Sequence, residues 1–334
     1  MTLPRVPLSI LDLAHIGPGE TARESFATSV AAAQLAERLG YARVWYAEHH
    51  NMATIASSAT SVLIAHVGAH TSTIRLGAGG VMLPNHAPLV IAEQYGTLAA
   101  MYPDRIDLGL GRAPGSDQNT LRALRRDPLS ADAFPQDVLE LQGYLTGASL
   151  IDGVDAVPGK GSNVPLYILG SSLFGAKLAA ALGLPYAFAS HFAPAALEPA
   201  LAAYRADFRP SAQLERPYAM VGVNVLAADS EEAARAQLQS VRRARAVGIF
   251  ARQLGLGSGA DVDDERADEI LAAGAAPHVD QMLVHTAIGT PDAVRAHLAG
   301  FLELTGADEL ITVHAAPGRA ARLRSIELLA EAMA

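Results

Sequence analysis

The chain has 334 residues, half of them hydrophobic and 18% charged, enough for one large barrel or two ordinary domains around a substantial core. Lysine and arginine number 25 against 34 aspartates and glutamates, a formal charge of −9 with no basic run, which argues against nucleic acid as a partner. There is no cysteine, so disulfides, thiolate nucleophiles and sulfur-ligated metals are excluded. No apolar run approaches bilayer length, and no basic stretch with an apolar signal core opens the chain. The expectation is a cytoplasmic protein without membrane association.

Val6 to Leu13 is apolar and reads as a first strand, followed by the loop His15-Ile-Gly-Pro-Gly-Glu20. Thr21 to Leu39 reads as a helix, with Thr21 as N-cap, Glu24 three residues on and Gly40 past its end. Ala42 to Ala47 is the second strand and Ser57 to Ala69 the second helix. Ile74 to Ser116 then reads as strand, helix, strand. Two short apolar runs flank Pro88 to Met101, which carries apolar residues at helical spacing, so the stretch is one right-handed βαβ unit.

Ala113 to Val164 is too long for a simple connection; it predicts a helix near Pro135 to Leu145 and a hairpin within the Gly/Asp/Pro-rich residues Gly147 to Asn163. Strand five is Pro165 to Gly170, strand six Tyr186 to Ala189 and strand seven Tyr218 to Ala227. Helices are expected at Phe174 to Leu182, Pro194 to Phe208 and Ser230 to Val247. Gly255 to Pro277 is irregular, and a helix at Pro291 to Leu304, strand eight at Glu309 to Val313 and a helix at Arg319 to Ala332 close the chain. Eight strands alternating with helices, without a composition break, predict an α/β fold. It is one (β/α)8 TIM barrel over residues 1–334, with insertion segments 113–164 and 249–285 after strands 4 and 7.

Glu48-His49-His50 ends an apolar strand at the face where such barrels keep their chemistry. Alternation along a strand puts Glu48 and His50 on one side and His49 on the other, which disfavours zinc held by both histidines. A metal hydrolase would also want His or Asp at several other strand ends, and Asp12 is the only clear one. Proton transfer and plain strand capping both fit the trio, imidazole being suited to the first by its near-neutral pKa. Gly77-Ala-Gly-Gly80 means either a rim bulge or close approach of something flat. Arg112, the first charge after an apolar strand, wants a phosphate or a salt bridge to Glu48 or an Asp. Ser171-Ser172 opens a helix whose N-terminus favours an anion, though such caps also occur without a ligand. His191 flanks the same pocket or packs in the core, while His278, His285 and His314 read as structural.

Taken together, Leu8 to Leu13, Ala47 to Asn51, Gly77 to Pro88, Arg105 to Gly115, Leu169 to Ser172, Gly289 to Val294 and Ala321 to Leu329 resemble a known family. It is the bacterial luciferase-like, flavin-dependent monooxygenases, and most closely their single-chain MsnO8-type oxidoreductases. The resemblance implies an FMN-dependent monooxygenase that uses reduced FMN and O2, through a C4a-hydroperoxide, to oxidise a small organic substrate. It gives His49 proton transfer near the flavin and His50 the shaping of the pocket beside Glu48. Gly79 and Gly80 would lie against the isoalloxazine edge, where relatives hold a non-proline cis peptide. Arg112, Ser171, Ser172 and the amides near Gly175 would hold the phosphate, with His191 alongside. The insertion after strand four would close the site. A separate NAD(P)H:flavin reductase and a homodimer are the implied partners. Two rivals stand: hydride transfer with a deazaflavin or NADPH, and a non-catalytic flavin-binding protein, against which Glu48, His49 and Arg112 weigh.

Overall fold

The structure, a computed structural model, describes residues 6–113, 118–250, 254, 256 and 262–334. Its strands are β1 (Leu8–Asp12), β2 (Arg43–Tyr46), β3 (Arg75–Met82), β4 (Ile106–Gly111), β5 (Leu166–Gly170), β6 (Tyr186–Phe188), β7 (Ala219–Ala227), β8 (Thr286–Gly289) and β9 (Glu309–Val313). β1 to β7 pair in sequence order and β9 closes the ring between β7 and β1, every pairing parallel. The result is a closed eight-stranded (β/α)8 TIM barrel, as the sequence predicts. The ninth strand, β8, pairs with the far end of the unusually long β7, beyond the part that β9 covers.

Alternation along the strands sorts their side chains into two cores. Ile10, Val44, Tyr46, Leu76, Ile106, Leu108 and Ile168 point outward into the layer beneath the helices. Leu11, Trp45, Tyr167, Ala187, Met220, Ile311 and Val313 fill the barrel itself. At the N-terminal ends of the strands the filling turns ionic. Arg43 donates to Asp107 at 2.7 Å, to Glu309 at 2.9 Å and to the Tyr167 hydroxyl at 2.7 Å. Trp45 Nε1 also donates to Asp107, while Tyr218 and Ser9 donate to Glu309. Burial alone would discourage the Arg43 charge, but Asp107 and Glu309 raise its pKa further above the ordinary value.

The surrounding helices are α1 (Ala22–Arg38), α2 (Thr60–Gly68), α3 (Pro88–Met101), α4 (Gln118–Ala123), α5 (Phe134–Thr146), α6 (Leu173–Leu182), α7 (Leu197–Asp207), α8 (Glu231–Phe250), α9 (Asp264–Ile270), α10 (Ala276–Met282), α11 (Pro291–Thr305) and α12 (Arg319–Met333). The predicted capping box is present on α1: Glu24 N donates to Thr21 Oγ1, and Thr21 N donates to the Glu24 carboxylate at 2.7 Å. None of the helices among the described residues is long and apolar enough to cross a membrane.

The structure revises the insertions. Within 113–164, α5 buries Phe134, Val138, Leu141 and Leu145 and packs on α3, so it belongs to the ring. Residues 147–163 form turns rather than the expected hairpin, because Ala156 and Val154 anchor the segment to the core individually. After β7 the ring position falls to α11, which buries Val294, Leu298, Phe301 and Leu302 and lies between α7 and α12. The helix expected there, α8, buries only Ala234, Val241 and Ala246. It joins α9, α10 and β8 in a separate layer with its own core of Leu226, Ile270, Leu271, Val279 and Ala316. Pro114 to Asp117 and residues 257–261, which belong to the sequence motifs and second insertion, lie outside the described residues.

Candidate active site

The site residues collect where the strands end. Glu48 follows β2, is 1% exposed and still ionises easily. Burial pushes its pKa up, but its Oε1 accepts from His50 and from His86, each at 2.8 Å, and its Oε2 from Met82 N at 3.0 Å. The bonds win, and the pKa falls to about 2. The same bond raises the pKa of His50. Glu48 and His50 thus share a side, as alternation requires, and the carboxylate ties the end of β2 to the loop after β3. No salt bridge joins Glu48 to Arg112.

His49 faces the other way. Its Nδ1 is buried without a hydrogen-bond partner, and burial lowers its pKa despite the neighbouring Glu48. It lies within electrostatic reach of His191 and His15. His191, after β6, is also buried with an unpartnered Nδ1, and burial, then Arg245, brings its pKa to about 3. Room for its ring comes from Gly222 on β7, where a Cβ would collide with the imidazole. The structure therefore sets His191 with His49 and Arg245, on the β6–β7 side.

The Gly79–Gly80 peptide is cis, and the β3–β4 register slips between Ala78 and Val81, so the rim carries a bulge. Both missing side chains are demanded by the barrel itself. A Cβ on Gly79 would press Leu11 and Trp45, and one on Gly80 would meet the Gly109 carbonyl at 2.7 Å. Glu48 N donates to the Gly80 carbonyl at 3.3 Å, which links the bulge to the histidine clamp.

Arg112 leaves β4 exposed and lies over the Phe174 ring, 4.1 Å from its centroid, with no carboxylate on it among the described residues. Phe174 sits in the first turn of α6, so the guanidinium stands beside that helix's N-terminus. Ser172 caps α6 in extended conformation without a hydrogen bond from its hydroxyl to the helix, and Gly175 is buried against Tyr186 in the same turn. A cation, a free helix N-terminus and two serines form a donor set suited to a phosphate monoester.

Sequence reasoning gives five contributors no individual role, although His86 stands within the Gly77 to Pro88 run that carries the resemblance. His86 holds Glu48 from 38 residues away. His15 follows β1, and burial with Arg322 next brings its pKa to about 4. Arg245 on α8 and Arg322 on α12 bring two guanidiniums to the mouth. Asn224, a lone amide in an apolar strand, was the one visible signal for this side; it donates to the His191 carbonyl at 2.7 Å. His314 is structural as read, held between Thr312 and Ser325.

Fold and donor sets together describe a barrel with an exposed guanidinium and a helix N-terminus on one side of its mouth and a buried imidazole cluster on the other. The sequence profile of the luciferase-like monooxygenases matches residues 6–309. A protein of Escherichia coli K12 named luciferase-like monooxygenase is 48% identical over 98% of this chain and 97% of its own. The crystal structure of apo-MsnO8 superposes with a TM-score of 0.84 at 36% identity, covering 98% of each chain. The N-acetyl-S-alkylcysteine monooxygenase of Bacillus subtilis is 36% identical over 76% of this chain and 77% of that protein. The chain belongs to the luciferase-like monooxygenase family, and it is an oxidoreductase.

Proposed function

We propose that the protein is an FMN-dependent monooxygenase acting on a small organic substrate. The observation that carries this is Arg112, parked over Phe174 at the N-terminus of α6 with no acidic partner among the described residues. Arg112, Ser171, Ser172 and the amides near Gly175 hold the FMN phosphate. Gly79 and Gly80 shape the rim where the ring lies. Reduced FMN, when bound, supplies the two electrons with which O2 yields one oxygen atom to the substrate and one to water. A separate reductase delivers it.

The chain's own work is orientation and proton handling. Glu48, ionised at any physiological pH, fixes His50 and the His86 loop against the cis bulge. His49 is kept neutral by burial and has a free ring nitrogen, so it takes or returns a proton without first shedding one.

The test is an anaerobic titration with reduced FMN and with reduced riboflavin, followed by mixing with air-saturated buffer. FMN should bind about 10–100-fold more tightly than riboflavin, the worth of a charge-assisted phosphate contact, and Arg112→Ala should erase the preference. Bound flavin should reoxidise through a long-lived absorbing species. Equal binding of the two flavins refutes the cradle. Prompt reoxidation with no such species refutes oxygen activation.

A further inference from the structure

A second cationic feature lies across the mouth from the phosphate cradle. Arg322, in the first turns of α12 just after β9, is only 8% exposed, and its Nε has no hydrogen-bond partner. Arg245, on α8, is half-buried; one of its Nη atoms donates to the His191 carbonyl at 3.4 Å and to the Asn224 side chain at 3.3 Å. Neither forms an ion pair among the described residues. Arg43 is just as buried and is paired with two carboxylates. A desolvated guanidinium without a counter-charge is costly, so a pair of them at a catalytic mouth calls for an anion that the described residues do not provide.

The neighbours agree. His15, at the end of β1, lies within electrostatic reach of both guanidiniums, and His314, at the end of β9, within reach of Arg322. Both imidazoles are held uncharged. Asp12 is the acidic group near His15, and its two oxygens are taken by Ala14 N and by the Ser29 hydroxyl. Glu48 is committed to His50 and His86. β7, β9 and β1 are consecutive in the ring, while Arg112 and Ser172 follow β4 and β5 on its opposite arc. One flavin phosphate therefore leaves this second cationic arc unmatched.

We propose that Arg245 and Arg322 form a substrate-anchoring subsite that takes the carboxylate of a small organic acid, with His15 as a neutral neighbour. The inference rests on the flavin reading for the chemistry that follows, but the anion subsite is measurable without flavin. Two guanidiniums suit a planar carboxylate because each offers paired N–H donors. In a chain whose net charge is −9 overall, the positive mouth also concentrates organic anions where they react.

The experiment is isothermal titration of the flavin-free chain with butanoate, hexanoate and octanoate, and with the methyl ester of each. In the wild type the carboxylates should bind at least tenfold more tightly than their esters. Arg245→Gln and Arg322→Gln should each weaken carboxylate binding tenfold or more and leave ester binding unchanged. Arg245→Lys and Arg322→Lys, which keep the charge, should retain part of the preference, and they serve if a glutamine variant does not fold. FMN affinity, measured separately, should change less than twofold in all four. Equal binding of acids and esters by the wild type, or no binding of either, overturns the proposal. So does loss of FMN binding in the glutamine variants, which would hand the pair to the flavin. Failure of the wild type to bind FMN would overturn the flavin reading alone, since the acid-against-ester comparison contains no flavin.

Discussion

The two ends of the barrel treat buried charge in opposite ways. At the N-terminal end, Arg43 meets Asp107, Glu309 and the Tyr167 hydroxyl, and Asp107 takes Arg75 as well. At the C-terminal end, Arg245 and Arg322 have no counter-ion among the described residues, and His49 and His191 each leave a buried nitrogen unpartnered. The same strands thus build a closed ionic plug below and an open set of donors above. Paired charges hold a structure together. Unpaired ones hold something else.

Breaking the plug should have the largest effect. Arg43→Met leaves buried Glu309 without a cation and Asp107 with Arg75 alone, and should destabilise the fold by about 3–5 kcal/mol in urea unfolding, whereas replacing Arg43, Asp107 and Glu309 together by apolar residues should be close to neutral. A loss under about 1 kcal/mol for Arg43→Met would show that the plug is not the structural end. At the open end the corresponding large effect is on rate. His49→Ala should lower turnover by about 10²–10⁴-fold while reduced FMN still binds, read by single-turnover kinetics with flavin saturating.

Much of this was legible in the sequence, and the rest was hidden for identifiable reasons. The eight ring strands, the placement of Glu48 with His50 and the glycine bulge follow from alternation and turn chemistry, which are local. β8, Thr286 to Gly289, pairs only with the far end of β7 and lies outside the ring, so it has no place in an eightfold strand–helix alternation. Both α8 and α11 are amphipathic, so pattern could not say which joins the ring; the number of large apolar side chains on α11 decides it. Gly79 and Gly80 stood out, but the cause, Trp45 and the Gly109 carbonyl, is tertiary. Arg245 and Arg322 looked like ordinary helical arginines because the absence of a counter-ion among the described residues is visible only in three dimensions.

Smaller perturbations sharpen the contrast. Gly222→Ala drives a methyl into His191 and should cost about 1–3 kcal/mol, the range for overpacking, with a change in activity that a substitution at the plug would not give. The pH dependence is directional too. His191 is neutral in the native state with its pKa at about 3, while the unfolded chain takes that proton near the ordinary value of 6.5. Its stabilisation is therefore complete above pH 6.5 and is lost as the pH falls toward 3. His191→Gln should make stability fall less steeply between pH 6 and 5, by up to about 1.4 kcal/mol per pH unit. His50 runs the other way, its raised pKa giving stability below the ordinary value that fades as the pH rises. An unchanged slope in the His191→Gln variant would mean that His191 is protonated in the native state.

The smallest expected effect carries a diagnostic sign. Arg322→Gln removes a buried positive charge that has no counter-ion among the described residues, together with the repulsion that adds to burial in keeping His15 and His314 uncharged. Removing a partner from a satisfied pair destabilises, but removing an unsatisfied ion relieves desolvation. The glutamine variant should accordingly be as stable as the wild type, or more stable by up to about 1 kcal/mol, in the absence of any anion. Adding hexanoate should then raise the unfolding midpoint of the wild type and not of the variant, because a ligand stabilises only the state that binds it. Destabilisation comparable to that of Arg43→Met would mean that Arg322 is satisfied within the fold, and the two ends of the barrel would no longer differ in kind.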